Sequence, residues 1–271
     1  MSKANGRKSI FVTGGASGMG REVARLFVSK GWFVGAYDVQ EDLLKALVEE
    51  LGEQNVLARK LDVTDREAYR AALAEFGEAT GGTMDILHNN AGIGRGGMFA
   101  DQPFEDVLAL VNVNFVGVLI GIHEALPLLK ATPGSMCFTT SSSSATFGMP
   151  GIAVYSATKH AVKGLTEALS IEFKALGIKV ADVLPALIDT PIIPREAIAM
   201  APKTGTFRPI HPEEIAKVVW EAYSSDQLHW YVPPELVALD HAATLTPEKS
   251  RDMMAQGKLS ELVGETVEQA A

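Results

Sequence analysis

The chain has 271 residues, 47% of them hydrophobic, which is enough for one large α/β domain with a sizeable core and argues against disorder. Its 24 basic and 33 acidic side chains give a net charge of −9, which disfavours nucleic acid as a partner, since neutralising phosphates takes a basic face. Cys137 is the single cysteine, so no intrachain disulfide can form, and its apolar run Ser135-Met-Cys-Phe138 makes it a buried small hydrophobe. Residues 1–8 are polar and the apolar run after them is too short for a signal peptide, so a soluble cytoplasmic protein is expected.

Ser9-Ile-Phe-Val-Thr13 is β-branched and aromatic and predicts a strand. Gly14-Gly-Ala-Ser-Gly18-Met-Gly20 follows, and then Glu22–Lys30 with helical periodicity. Strand, glycine turn and helix form the context in which a glycine pattern points to a nucleotide. Gly14 allows the tight turn, Gly18 lets the backbone approach a pyrophosphate, and Gly20 lets the helix pack on the sheet. The spacing differs from the usual G-x-G-x-x-G, so a purely structural turn is the alternative. Trp32–Tyr37 reads as the second strand, and Asp38 ends it. A carboxylate about 20 residues past the turn can accept hydrogen bonds from both hydroxyls of an adenosine ribose. Its neighbours Ser17 and Val39 offer no cation to a 2′-phosphate, so NAD is expected over NADP.

Further strands are predicted at 55–61, 84–89, 135–141 and 178–184, with a last candidate at 229–236 that carries two prolines. Helices are predicted at 41–51, 65–80, 104–130 and 154–176, and another begins near Pro212, followed by Glu213 and Glu214. This alternation predicts a doubly wound parallel sheet of about seven strands with helices on both faces, in one domain spanning 1–271. Leu108–Leu129 is the longest apolar stretch; Asn112, Asn114, His123 and Glu124 interrupt it, so a buried helix is expected rather than a membrane span. Residues 255–271 look like a polar helix or tail.

Tyr155 and Lys159, in Ala153–Ala161, are four apart on a predicted helix and so share a face. A nearby ammonium favours a phenolate. Bringing a phenol from about 10 to near neutral takes roughly 4 kcal/mol of differential stabilisation. A phenol so tuned can give a proton to a ketone or take one from an alcohol.

Together these residues resemble the classical short-chain dehydrogenase/reductase family over residues 8–192, which implies a Rossmann-type fold. Thr13–Gly20 resembles the family's cofactor turn, implying contacts from Gly14, Ser17, Gly18, Met19 and Gly20, with Asp38 and Val39 beyond it. Asp62 and Val63 match the position beside adenine, and Asn90, Ala91 and Gly92 match the segment bordering the ribose. Asn114 matches the active-site Asn, whose implied role is to support a water that reaches Lys159. Ser142, 13 residues before Tyr155, has the spacing of the catalytic Ser, although Ser141 and Ser143 offer hydroxyls too. Tyr155 and Lys159 complete the tetrad, with Lys159 also on the nicotinamide ribose. Pro185, Ile188 and Thr190 fall in the segment that holds the nicotinamide amide, where Ala186 replaces the usual Gly. The resemblance implies an NAD-dependent oxidoreductase working on a secondary alcohol or ketone, assembled as a homotetramer or homodimer. A catalytically idle NAD-binding sensor and an NAD-using epimerase or dehydratase are the alternatives.

Residues 187–211 form a long connection rich in apolar side chains and match the family's substrate lid. Leu187 and Ile192, with Phe147, Met149, Arg95 and Met98, are the candidate substrate wall beside Ser142 and Tyr155. The same apolar residues could instead dock the loop or meet another subunit.

Overall fold

The structure, a computed structural model, describes residues 4–258. Seven strands form one sheet: β1 (Ser9–Thr13), β2 (Phe33–Asp38), β3 (Val56–Lys60), β4 (Ile86–Asn89), β5 (Met136–Thr140), β6 (Lys179–Pro185) and β7 (His229–Val232). Their order is β3-β2-β1-β4-β5-β6-β7 and every neighbouring pair is parallel. The expected doubly wound α/β sheet is therefore present, with helices on both faces.

Side chains along each strand alternate between two layers. Ile10 and Val12 face helices α1 (Gly18–Ser29), α2 (Glu41–Leu51) and α8 (Glu213–Ala222), where they join Phe27, Leu47 and Val219. Phe11 points the other way, into a layer with Tyr37, Tyr69 and Phe76, and stacks on Tyr37 at 4.0 Å between ring centroids. That layer is closed by α3 (Arg66–Thr80), α5 (Gly117–Lys130) and α6 (Ala153–Glu172). Burial on both faces explains why the central strands are continuously apolar.

The helix expected at 104–130 is present and contains a π-helical stretch: α4 (Phe104–Val111), π turn (Asn112–Val116), then α5. It is long and apolar enough to cross a membrane by length and composition, and only about a third of its most apolar window is buried. The expected buried helix is buried on one side only: that side carries Asn114, while Phe104, Leu108 and Leu119 are exposed. The last strand ends at Val232, four residues earlier than expected, because Pro233 and Pro234 follow it and proline has no N–H to give a ladder. The chain turns instead into α9 (Leu236–Leu245) and α10 (Pro247–Ala255). Asp240 fixes α9: it pairs with Lys163 of α6 at 2.7 Å and accepts from the Tyr231 hydroxyl at 2.5 Å. Of the expected 255–271 tail, residues from 259 on lie outside those described.

The β1–α1 turn places the site. Gly14 and Gly18 have φ of +63° and +51°. At Gly20 a Cβ would lie 2.1 Å from the Gly14 carbonyl oxygen and 2.7 Å from Asn90 Nδ2. Helix α1 begins two residues earlier than Gly20, so this glycine packs inside its first turn. Gly20→Ala is therefore expected to cost about 1–3 kcal/mol, because backbone rather than a flexible side chain must move. Urea unfolding measures it, and an unchanged midpoint would contradict this packing.

Candidate active site

A cleft of about 390 Å³ runs along the carboxyl ends of the strands, where β1 and β4 lead their chains to opposite sides of the sheet. At one end lie Gly14, Ser17, Gly18 and Met19, with Asp38 and Val39 from the end of β2. Asp62 and Val63, then Asn90, Ala91 and Gly92, continue the wall from β3 and β4. Ser142, Tyr155 and Lys159 form the far end, opposite Pro185, Ile188, Thr190 and Ile192. Residues scattered over almost 180 positions thus meet in one groove because each follows a strand of the same parallel sheet.

The glycine end suits a phosphate. Ser17 precedes α1 without capping it through its side chain, and the first turn holds no acidic residue. The helix N–H groups and the positive end of its dipole therefore face the cleft uncompensated. Asp38, 7% exposed, accepts from Ala16 N and from Gln40 N, both at 3.1 Å, which fixes its carboxylate at the rim. Among the described residues Lys159 is the only cation lining the cleft. Lys60, beside Asp38 in the sheet register, is held by Glu41 at 2.9 Å. This donor and acceptor set fits a dinucleotide.

At the far end, α6 carries Tyr155 and Lys159 on one face, as the spacing requires. Lys159 is 5% exposed and donates to the Thr140 carbonyl at 2.8 Å. Burial brings its ammonium down to about 8. Its Nζ stands 5.7 Å from the centre of the Tyr155 ring. The Tyr155 phenol is pushed above its ordinary value by burial, against the opposing pull of a hydrogen bond with Ser142. Here the Lys159 ammonium is turned to Thr140, and desolvation dominates at the phenol.

The serine run resolves clearly. Ser142 is the serine that acts on the Tyr155 phenol, and its oxygen accepts from Ser144 N at 3.2 Å. Ser141 is turned back to donate to the Lys159 carbonyl at 3.1 Å, and Ser143 sits in the short 3-10 turn that follows. Asn114 does not line the cleft. Its Oδ1 accepts from Ile93 N at 2.8 Å and its Nδ2 donates to Ile93 O at 2.9 Å, so it clamps the backbone just after Gly92. Both ends of its side-chain amide are thereby engaged. Asn112, two residues away, is exposed.

Six expected contact residues lie elsewhere. Gly20 is packed under the turn. Phe147, Met149 and Leu187 do not reach the cleft; the Leu187 carbonyl instead accepts from Ile210 N at 2.9 Å, tying the two ends of the connection together. That connection is not structureless, since Arg195–Met200 forms a short helix, α7. Met98 is exposed and Arg95 is paired with Asp106. Ala186 does line the cleft, and Asn5 is the only non-glycine residue with positive φ among those described, so alanine fits there without strain. Sequence patterns missed Gln40, Ile93, Val113, Thr140, Pro191 and Ile193 in the wall. Thr140 had a usable signal, being a hydroxyl two positions before Ser142 at the end of an apolar strand.

A family model described as short chain dehydrogenase matches residues 8–198. A 2,5-dichloro-2,5-cyclohexadiene-1,4-diol dehydrogenase of Sphingobium indicum is 35% identical over 187 residues, covering 68% of this chain and 74% of that protein. A cyclohexanol dehydrogenase of an Acinetobacter species is 32% identical over 231 residues, covering 83% and 91%. A short-chain dehydrogenase/reductase of Burkholderia phymatum, solved in complex with NAD, superposes with a TM-score of 0.80 at 25% identity, covering 92% of this chain and 97% of that one. Sheet order, glycine turn and sequence similarity lead to one conclusion: the chain belongs to the short-chain dehydrogenase/reductase family of oxidoreductases.

Proposed function

We propose that the protein interconverts a secondary alcohol and a ketone, with NAD(H) carrying the hydride and a largely apolar molecule as substrate. One observation carries this: the Tyr155–Ser142 pair and Lys159 share a single cleft with the glycine turn and Asp38. A nicotinamide held there supplies or accepts the hydride.

The chain's own residues do the rest. Asp38 takes the adenosine ribose, and the uncompensated start of α1 takes the pyrophosphate. Tyr155 holds the proton that passes to the substrate oxygen in reduction and returns in oxidation. Ser142, in the same cleft beside the phenol, donates to that oxygen as charge develops on it. Lys159 holds the nicotinamide ribose, and its charge favours the phenolate once the ammonium turns toward Tyr155. Asn114 keeps Ile93 in place and so shapes the wall beside the reacting centre.

The substrate class follows from the wall. Ile93, Pro191, Ile192 and Ile193 are apolar. Cations around the mouth are already matched by carboxylates: Arg95 by Asp106, Arg195 by Asp189 and Arg208 by Glu235. Such a mouth disfavours anionic substrates. The relatives named for cyclohexanol and a cyclic diol point the same way. The exposed apolar side of α4 and α5, with Phe104, Leu108 and Leu119, is the face expected to meet a second copy of the chain.

Two measurements test this. Tyr155→Phe removes the proton, so kcat should fall by about 10²–10⁴-fold while NADH binding, followed by fluorescence, stays unchanged; nearly full activity would refute the mechanism. Wild-type kcat/KM should favour NAD over NADP by about tenfold or more, and Asp38→Ala should narrow that ratio. A wild-type preference for NADP would overturn the cofactor assignment.

A further inference from the structure

Beneath the glycine turn runs a chain of hydrogen bonds through residues that the proposed chemistry leaves unused. His88 of β4 is fully buried, between Val12 and Phe138 in the sheet. Its Nε2 is 3.0 Å from Thr140 Oγ1. Thr140 Oγ1 lies 3.2 Å from Asn90 Oδ1. Asn90 Nδ2 reaches the carbonyls of Thr13 at 3.0 Å and Gly14 at 3.2 Å.

This geometry fixes the protons. Carbonyls only accept, so the Asn90 amide must turn its NH₂ to Thr13 and Gly14 and its oxygen to Thr140. That oxygen also only accepts, so the Thr140 hydroxyl donates to it. The threonine has no second proton, so His88 donates from Nε2. Its Nδ1 is then a bare acceptor, and it has no hydrogen-bond partner. Burial holds the ring neutral by bringing its pKa down to about 3.

Two parts of the cleft depend on this chain. The Asn90 amide sits where side chains at the turn would be, 3.1 Å from a Cβ built at Gly14 and 2.7 Å from one at Gly20. Thr140 also offers its backbone carbonyl to Lys159 at 2.8 Å. The strand neighbours of position 88, Val12 and Phe138, are apolar, so packing alone does not call for an imidazole.

We infer that His88 is a positioning residue for dinucleotide binding: its Nε2–H orients Thr140, which turns Asn90 into the peg of the glycine turn and presents the carbonyl that places Lys159. The inference rests on the proposed dinucleotide site.

The test is NADH titration by fluorescence on the full-length protein, with unfolding midpoints measured in parallel. Thr140→Val and His88→Leu should each weaken NADH binding by about fivefold to tenfold. The double variant should bind no more weakly than Thr140→Val alone, because both cut one chain. His88→Gln, which keeps an N–H donor, should recover most of the affinity. Lower midpoints with wild-type dissociation constants would show a merely structural histidine and overturn the proposal. Thr140→Val is isosteric, so wild-type affinity in that variant overturns it even if the His88 variants fail to fold. Wild-type protein without saturable NADH binding would instead refute the dinucleotide site itself, and the role of His88 with it.

Discussion

An ammonium buried without a carboxylate is costly, and the fold accepts that cost at Lys159. Its Nζ has one described partner, the Thr140 carbonyl, at 2.8 Å. Burial brings it down to about 8 and leaves it next to a phenol that burial pushes up. Each group disfavours its own charged form, and each would stabilise the other's if they met. That mutual need suits the pair to the proton-handling role proposed for it. The surrounding cleft has to keep both in place while leaving room for a ligand.

The sheet provides that rigidity. β5 lies between β4 and β6, so Thr140 and Ser142 are delivered from a strand paired on both edges. The turn after it is backed by a small cluster in which Ala145 packs with Leu184, Leu236 and Leu239. The Lys163–Asp240–Tyr231 contacts hold α9 over that cluster. The C-terminal helices thus brace the wall that carries Ser142, although they contribute no side chain to the cleft. Pro233 and Pro234 end the sheet at Val232, and the chain after them is used for this bracing instead of a longer strand.

Much of this was legible in the sequence, for local reasons. The strand, turn and helix signature around Gly14–Gly20 depends on short-range backbone sterics. Tyr155 and Lys159 depend only on helical periodicity, and Ser142 on spacing within the family pattern. What failed depends on how separate segments meet. Phe147, Met149 and Leu187 lie in irregular segments, and the path of an irregular loop has no periodicity to read. The π stretch at Asn112–Val116 was hidden because apolar residues continue through it. Thr140, Asn90 and His88 form one unit only through the parallel register of β4 and β5, which sets His88 against Phe138.

Transfer of a carbinol hydrogen to the nicotinamide is the most direct measure of the central claim. Carbinol-deuterated cyclohexanol and related apolar secondary alcohols, incubated with the protein and NAD, should give NADH carrying deuterium at C4 of the nicotinamide ring. Saturable NAD binding with no deuterium transfer from any of them would contradict the alcohol–ketone chemistry assigned to this cleft.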